Sequence, residues 1–253
     1  MAIISHRHQF IFLKTRKTAG TSIEILLANI CGPEDMICTS DDAKEFGVSD
    51  QNNKKKFKDL DFFDFAKTST RAFKNIFSKG HPDLNKSLCR LKNILKTEHT
   101  TVKNMKAVCG EDLFKRYYKF CFERNPFDRL VSLYHWRTKD LKIKPSFRDF
   151  VLTVIEKYTK KNQKIAKADF WTNRPFYELD EEIVLDKVCR FENLTQEIDN
   201  FYKMIGISWD GQLPFMKSGN RPTSDYREYY TPELIQLCKE IYSFEINTFG
   251  YEF

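Results

Sequence analysis

Apolar positions near the start of the chain change period within a few residues. After Gln9, Phe10-Ile11-Phe12-Leu13 is a short apolar run long enough for one buried strand. A polar turn containing Gly20 follows. Ile23, Leu26, Leu27 and Ile30 then fall at helical spacing within residues 22–30. Cys31-Gly32-Pro33 supplies the stop signals expected after such a helix. Strand, tight loop and helix is the opening of an α/β fold. A second unit repeats the order. Tyr118 to Glu123 reads as a strand, Arg124-Asn125-Pro126 as the turn, and Phe127 to Trp136 as a helix with Pro126 at its first position. Val102, Met105, Val108 and Cys109 mark a helix just after His99. Thr231-Pro232-Glu233 is an N-cap, a proline at the first helical position and a first-turn acid. It launches a helix with Leu234, Leu237, Ile241 and Phe244 facing inward, in a stretch that Gly250 ends. The pattern predicts a single α/β domain over residues 1–253. Its mostly parallel central sheet is flanked by helices, with a phosphate-binding loop after the first strand.

Residues 41–98 interrupt this rhythm. They carry 13 Lys+Arg against 9 Asp+Glu, and Phe62, Phe63, Phe65, Phe73, Ile76 and Phe77 predict short amphipathic helices. The segment reads as a helical insertion. Its basic face is either solvated or a rim that guides an acidic acceptor. The whole chain, at 253 residues, carries a formal charge of +7, which favours anionic partners without choosing among nucleic acid, nucleotide and acidic sugar. With 41% hydrophobic and 15% aromatic residues it is neither a disordered tail nor a low-complexity array. No stretch approaches the ~20 apolar residues of a membrane span, and the first 17 residues lack the apolar core of a signal peptide. A cytoplasmic protein is expected. Seven cysteines without a C-x-x-C pair argue against a disulfide framework or a zinc knuckle and read as buried thiols. His6 and His8 have the spacing of a metal pair, but no third ligand accompanies them, and they read as strand-flanking residues.

Two stretches carry candidate chemistry. Lys14-Thr15-Arg16-Lys17-Thr18-Ala19-Gly20-Thr21-Ser22 lies between a strand and a helix N-terminus, where backbone N–H groups and the helix dipole favour an anion. It is not a Walker A loop, because Lys17 precedes the glycine. Read alone, it is also compatible with a plain turn and helix cap. Arg124, at a predicted strand end, stands eight residues before Ser132, two helical turns along. A guanidinium and a hydroxyl so placed can grip one phosphate group, although Asp128 is an alternative partner for Arg124.

Taken together, Lys17-Thr18-Ala19-Gly20-Thr21-Ser22 and Arg124 through Tyr134 resemble the paired signature of the PAPS-dependent sulfotransferases, particularly the bacterial carbohydrate-sulfotransferase group. Arg190-Phe191-Glu192-Asn193-Leu194 and the segment from Tyr226 to Phe253 are similar to further family segments. The resemblance covers residues 1–31 and about 97–253. It implies a P-loop-like topology and 3′-phosphoadenylyl sulfate (PAPS) as sulfuryl donor, with no metal. The acceptor it implies is a hydroxyl, on a carbohydrate or glycolipid, with no nucleic-acid partner. By the same resemblance, residues 17–22 cradle the 5′-phosphosulfate, with Lys17 at the bridging oxygen and Arg16 as an additional cation. Arg124 and Ser132 take the 3′-phosphate, and Arg221 belongs to a loop closing over the nucleotide. His99 matches the family's base site, with His81 and Glu98 as alternatives. Two departures stand out. Arg16 occupies a position where many relatives have proline. Glu123, where a small apolar residue is usual, could orient Arg124 or compete with the phosphate. The rival readings are a kinase-like nucleotide-dependent enzyme and a non-catalytic polyanion-binding protein.

Overall fold

The computed structural model describes residues 2–51, 99–160, 172–214 and 225–253. In chain order these form β1 (Ala2–Ser5), β2 (Phe10–Leu13), α1 (Gly20–Ala28), β3 (Met36–Ile37), α2 (Asp41–Lys44), α3 (Val102–Cys109), α4 (Glu111–Arg116) and β4 (Tyr118–Glu123). There follow α5 (Pro126–Thr138), α6 (Phe147–Lys160), the short hairpin β5 (Glu178–Leu179) and β6 (Glu182–Ile183), β7 (Lys187–Arg190), α7 (Leu194–Met204), α8 (Pro232–Ile241) and α9 (Ser243–Phe249). Single 3₁₀ turns occupy Arg174–Phe176, Phe191–Asn193 and Tyr226–Tyr229.

The result is a mixed α/β domain around a five-stranded sheet of order β3-β1-β2-β4-β7. Two expectations need correction. The sheet is mixed rather than mostly parallel: β2–β4 and β4–β7 are parallel, while β1–β2 and β1–β3 are antiparallel. The reason is the four-residue connection His6 to Gln9, which is too short for the crossover that parallel strands require. Accordingly the cationic loop follows the second strand, not the first.

Both faces of the sheet are covered, so the strands read as continuous apolar runs. Phe10, Phe12, Phe120 and Phe122 pack with α1 and α7, whereas Ile11, Leu13 and Cys121 pack with α3 and α4. The alternation follows the two-residue period of a strand. Phe120 sits at the centre, with ring centroids 4.5 Å from Phe201, 5.3 Å from Phe12 and 6.0 Å from Phe10. A third cluster joins α5, α6 and α8 through Phe127, Leu130, Val131, Phe147, Val151 and Leu234.

Caps fall where their residue types predict. Asn125 accepts from the Phe127 N–H ahead of Pro126, and Thr231 accepts from the Leu234 N–H ahead of α8. The C-terminal helical stretch is divided at Tyr242 into α8 and α9, and Gly250 closes α9 in the left-handed conformation. Residues 41–51, the start of the basic segment, belong to the packed domain: Ala43 and Val48 are buried, and Gln51 bridges to Ile37. The amphipathic helices expected around Phe62 to Phe77 lie outside the described residues.

Replacing Phe120 with alanine empties the centre of the larger aromatic cluster and is expected to cost about 3–5 kcal/mol. Chemical denaturation of the variant beside wild type measures that loss as a lower midpoint.

Candidate active site

The two parallel pairings put the carboxyl ends of β2, β4 and β7 at one end of the sheet, where α/β folds bind ligands. The loop at residues 14–22 leaves β2, Arg124 follows β4, and Phe191 follows β7. They surround a cavity of about 550 Å³. Its wall includes residues 16–22, His99, Arg124 and Ser132, together with Ser40, Asp42, Trp136 and Lys139. Of the candidates named from sequence, Arg16, Lys17, Thr18, Ala19, Gly20, Thr21, Ser22, His99, Arg124 and Ser132 are therefore gathered around one space. Arg221, His81 and Glu98 lie outside the described residues.

The loop has the backbone of an anion cradle. Lys17 (φ 61°) and Ala19 (φ 55°) are both in the left-handed region, which non-glycine residues occupy only when surroundings enforce it. Helix α1 starts at Gly20 with Ala19 as an N-cap that lends no side-chain hydrogen bond, and its first turn holds no acid. The open N–H groups and positive dipole end of α1 face the cavity. Below the loop runs Lys14, a buried lysine whose ammonium lies 3.0 Å from Glu24 Oε2, 3.2 Å from Thr21 Oγ1 and 3.2 Å from Ser40 Oγ. Its stem passes so close to Gly20 that a Cβ there would lie 2.6 Å from Lys14 Cγ. The glycine is required by this approach. Neither Glu24 nor Ser40 was legible as a site residue, since the charge on Glu24 interrupts an apolar helix without any local partner.

Arg124 pairs with Asp128 and also lines the cavity. Its Nε and Nη2 lie 2.8 and 2.6 Å from Asp128 Oδ2, and its Nη1 donates to the Lys17 carbonyl at 3.2 Å. Asp128 thus orients the guanidinium while the guanidinium still lines the cavity. Glu123 does not compete for a ligand. It points into the interior, where Oε1 accepts from the Arg124 N–H at 3.0 Å and Oε2 from the Tyr177 hydroxyl at 3.1 Å. Arg129 Nε lies 3.5 Å from Oε1. Burial pushes the Glu123 carboxyl upward from its ordinary value, and the Arg129 charge opposes the shift.

The two further segments that resemble the family act as scaffolding for Arg124. Glu192 Oε1 accepts from the Asn125 N–H at 2.6 Å, while Asn125 Nδ2 donates to the Glu252 carbonyl at 2.8 Å and the Tyr226 hydroxyl at 3.3 Å. The segments at 190–194 and 226–253 therefore meet on the residue after Arg124.

His99 packs against Phe176, with ring centroids 5.6 Å apart, and its Nδ1 lies 3.0 Å from the Lys14 carbonyl oxygen. A carbonyl only accepts, so Nδ1 carries the proton and Nε2 the lone pair in the neutral ring. Burial, followed by the charges of Arg16 and Lys14, pushes the imidazole down to about 3 despite the Lys14 hydrogen bond. His6 and His8 serve structure instead, contacting the Tyr117 hydroxyl at 2.8 Å and the Ile30 carbonyl at 3.1 Å. Among the described residues no group of three His, Cys, Asp or Glu gathers as a metal site, and no helix is long and apolar enough to cross a membrane.

A loop at a helix N-terminus, a carboxylate-braced arginine and a neutral histidine thus line one cavity. The family model described as "Sulfotransferase family" matches residues 1–252, and the chain belongs to that family. It is thus a transferase of sulfuryl groups, which decides against the kinase reading. An uncharacterized protein of Archaeoglobus fulgidus is 33% identical over 102 residues, spanning 39% of this chain and 75% of the relative. No solved structure matches the chain.

The depressed histidine makes a pH prediction. Neutral His99 is favoured in the folded state and an unfolded histidine titrates near 6.5, so its contribution is complete above that pH. It is lost as pH falls from there toward about 3. Thermal unfolding midpoints should fall more steeply between pH 6.5 and about 4 in wild type than in His99→Asn, which keeps a donor for the Lys14 carbonyl.

Proposed function

We propose that this protein transfers the sulfuryl group of PAPS to a hydroxyl of a carbohydrate or glycolipid acceptor. The observation that carries the reading is the convergence of the residue 16–22 loop, the Arg124–Ser132 pair and His99 on a single cationic cavity. The residues fit the donor chemically. Five cationic side chains and one carboxylate, Asp42, line the cavity among the described residues, and its volume suits a nucleotide. The loop amides, Thr18, Thr21 and Ser22 hold the 5′ phosphosulfate in a P-loop-like manner. Arg124, braced by Asp128, and Ser132 hold the 3′ phosphate. Trp136 offers an aromatic face beside the transfer centre, its ring 5.5 Å from Lys17 Nζ. With the carboxylate of Asp42, this is a surface on which a sugar ring can lie.

In the proposed in-line step the acceptor oxygen attacks sulfur, its proton passes to Nε2 of His99, and the bond from sulfur to the bridging oxygen breaks. Lys17 neutralises the charge that builds on that oxygen as 3′,5′-ADP leaves. The hydrogen bond from His99 Nδ1 to Lys14 fixes the tautomer needed for this. The donor's negative charge opposes the effect of Arg16 and Lys14 on the ring, restoring basicity when the site is filled.

Calorimetric titration with 3′,5′-ADP, beside ATP with magnesium, tests the donor. Magnesium-independent binding of 3′,5′-ADP that weakens at least about tenfold in Arg124→Ala supports the reading. Binding of ATP alone overturns it. His99→Ala should lower kcat by about 10²–10⁴ while leaving 3′,5′-ADP affinity nearly intact. A comparable loss of affinity would remove His99 from the role of base.

A further inference from the structure

The strands that carry the two anion grips stop pairing before they reach them. The last matched pair of β2 and β4 is Phe12 with Phe120, yet the loop begins its turn around Arg16 and the second grip begins at Arg124. Beyond the ladder, the backbone of Arg16 is met by a side chain from far along the chain. Asn173 Oδ1 accepts from the Arg16 N–H at 3.0 Å, and Asn173 Nδ2 donates to the Arg16 carbonyl at 3.3 Å. The same Nδ2 donates to Glu123 Oε1 at 2.9 Å. Because the Arg16 N–H can only donate, the orientation of the amide is fixed by its partners. Glu123 Oε1 is also the acceptor for the Arg124 N–H at 3.0 Å. One continuous chain of hydrogen bonds thus runs from Arg16 through Asn173 and Glu123 to Arg124.

Every member of the link is held in place. Asn173 is fully buried and Glu123 is 1% exposed. Arg129 and Tyr177 steady the Glu123 carboxylate, and neighbouring Thr172 donates to Glu245 at 2.5 Å. Glu245 in turn lies 3.6 Å from Arg129. The Asn173–Glu123 bond at the centre of the link is buried, so water does not readily replace it.

We propose that Asn173 and Glu123 are positioning residues that set the distance between the two anion grips, and so select a nucleotide carrying both a 5′ and a 3′ phosphate. The proposal rests on the donor reading above. A ligand that engages one grip does not sample the spacing, whereas a ligand that engages both gains from having it preset. The effect of losing the link is therefore larger for a doubly phosphorylated nucleotide than for a singly phosphorylated one.

The test compares calorimetric affinities of purified wild type, Asn173→Ala and Glu123→Gln for 3′,5′-ADP and 5′-AMP. Asn173→Ala should weaken 3′,5′-ADP by about tenfold or more and 5′-AMP by less than about threefold, within the range of ordinary coupling between sites. Glu123→Gln retains an acceptor for both the Arg124 N–H and Asn173, and should keep a ratio near that of wild type. Equal losses for both ligands in Asn173→Ala, no loss for either, or a collapse of the ratio in Glu123→Gln would overturn the proposal. Should Asn173→Ala fail to fold, hydrogen exchange of wild type with 3′-AMP decides. Slower exchange in the peptide spanning residues 172–176, which carries Asn173 and lies outside the direct Arg124–Lys17 contact, supports the link, and unchanged exchange overturns it. A wild type that binds no 3′,5′-ADP removes the donor reading and the link with it. A wild type that binds it while Asn173→Ala keeps the ratio removes the link alone.

Discussion

The site depends on a buried ion pair beneath the cationic loop. Lys14 leaves the end of β2 and turns under the loop, where its ammonium meets Glu24 on α1 at 3.0 Å and the Ser40 hydroxyl at 3.2 Å. Glu24 accepts from the Ser40 N–H as well, at 2.9 Å. A strand end, the first turns of a helix and the entry to α2 are thereby pinned to one point. An ion pair this deeply buried is costly to assemble, and removing one partner strands the other charge, typically at about 3–5 kcal/mol. That cost makes the arrangement all-or-none. The loop above it can hold Lys17 and Ala19 in left-handed conformations because the platform below does not yield.

The charge distribution follows one rule. The cavity wall is mainly cationic, with Asp42 its one carboxylate among the described residues, while four other acids close to it are turned into the frame. Glu24 pairs with Lys14, Asp128 braces Arg124, Glu123 faces Arg129 and Asn173, and Glu192 caps the Asn125 N–H. Each carboxylate fixes a cationic or backbone donor group without standing where an anionic ligand would meet it. In a cavity so arranged the positive groups stay together instead of scattering through mutual repulsion. The same economy explains why the segments at 190–194 and 226–253 matter, although few of their side chains reach the cavity. They converge on Asn125 and hold the turn that presents Arg124.

Histidine 99 shows how the packing converts a generic residue into a specific one. Its position just before α3 is a local feature, but the proton on Nδ1 is set by the Lys14 carbonyl, 85 residues earlier. Phe176 and the cationic loop then keep the ring neutral. The orientation of His99 and the support of the cationic loop thus share Lys14, through its carbonyl on one side and its ammonium on the other.

The elements legible in the sequence were those whose causes lie within a few residues. Phe10 to Leu13 and Tyr118 to Glu123 read as strands because both faces are apolar. Pro126 and Thr231-Pro232 marked helix starts because capping is local chemistry, and the polar turn at Gly20 marked the loop that lines the cavity. The two-residue strand β3 is too short to carry a period, and the pair Ile3-Ile4 does not by itself show that β1 forms a hairpin with β2. A mixed sheet was therefore read as mostly parallel. The direction of Glu123 was open for a similar reason. Its sequence neighbour is Arg124, but its partners are Arg129 and two residues about fifty positions on, Asn173 and Tyr177. Residue chemistry and periodicity determined which segments would become strands, helices and the loop between β2 and α1. Only tertiary packing decided which polar groups meet, because a buried hydrogen bond is chosen by what else the fold brings within about 3 Å.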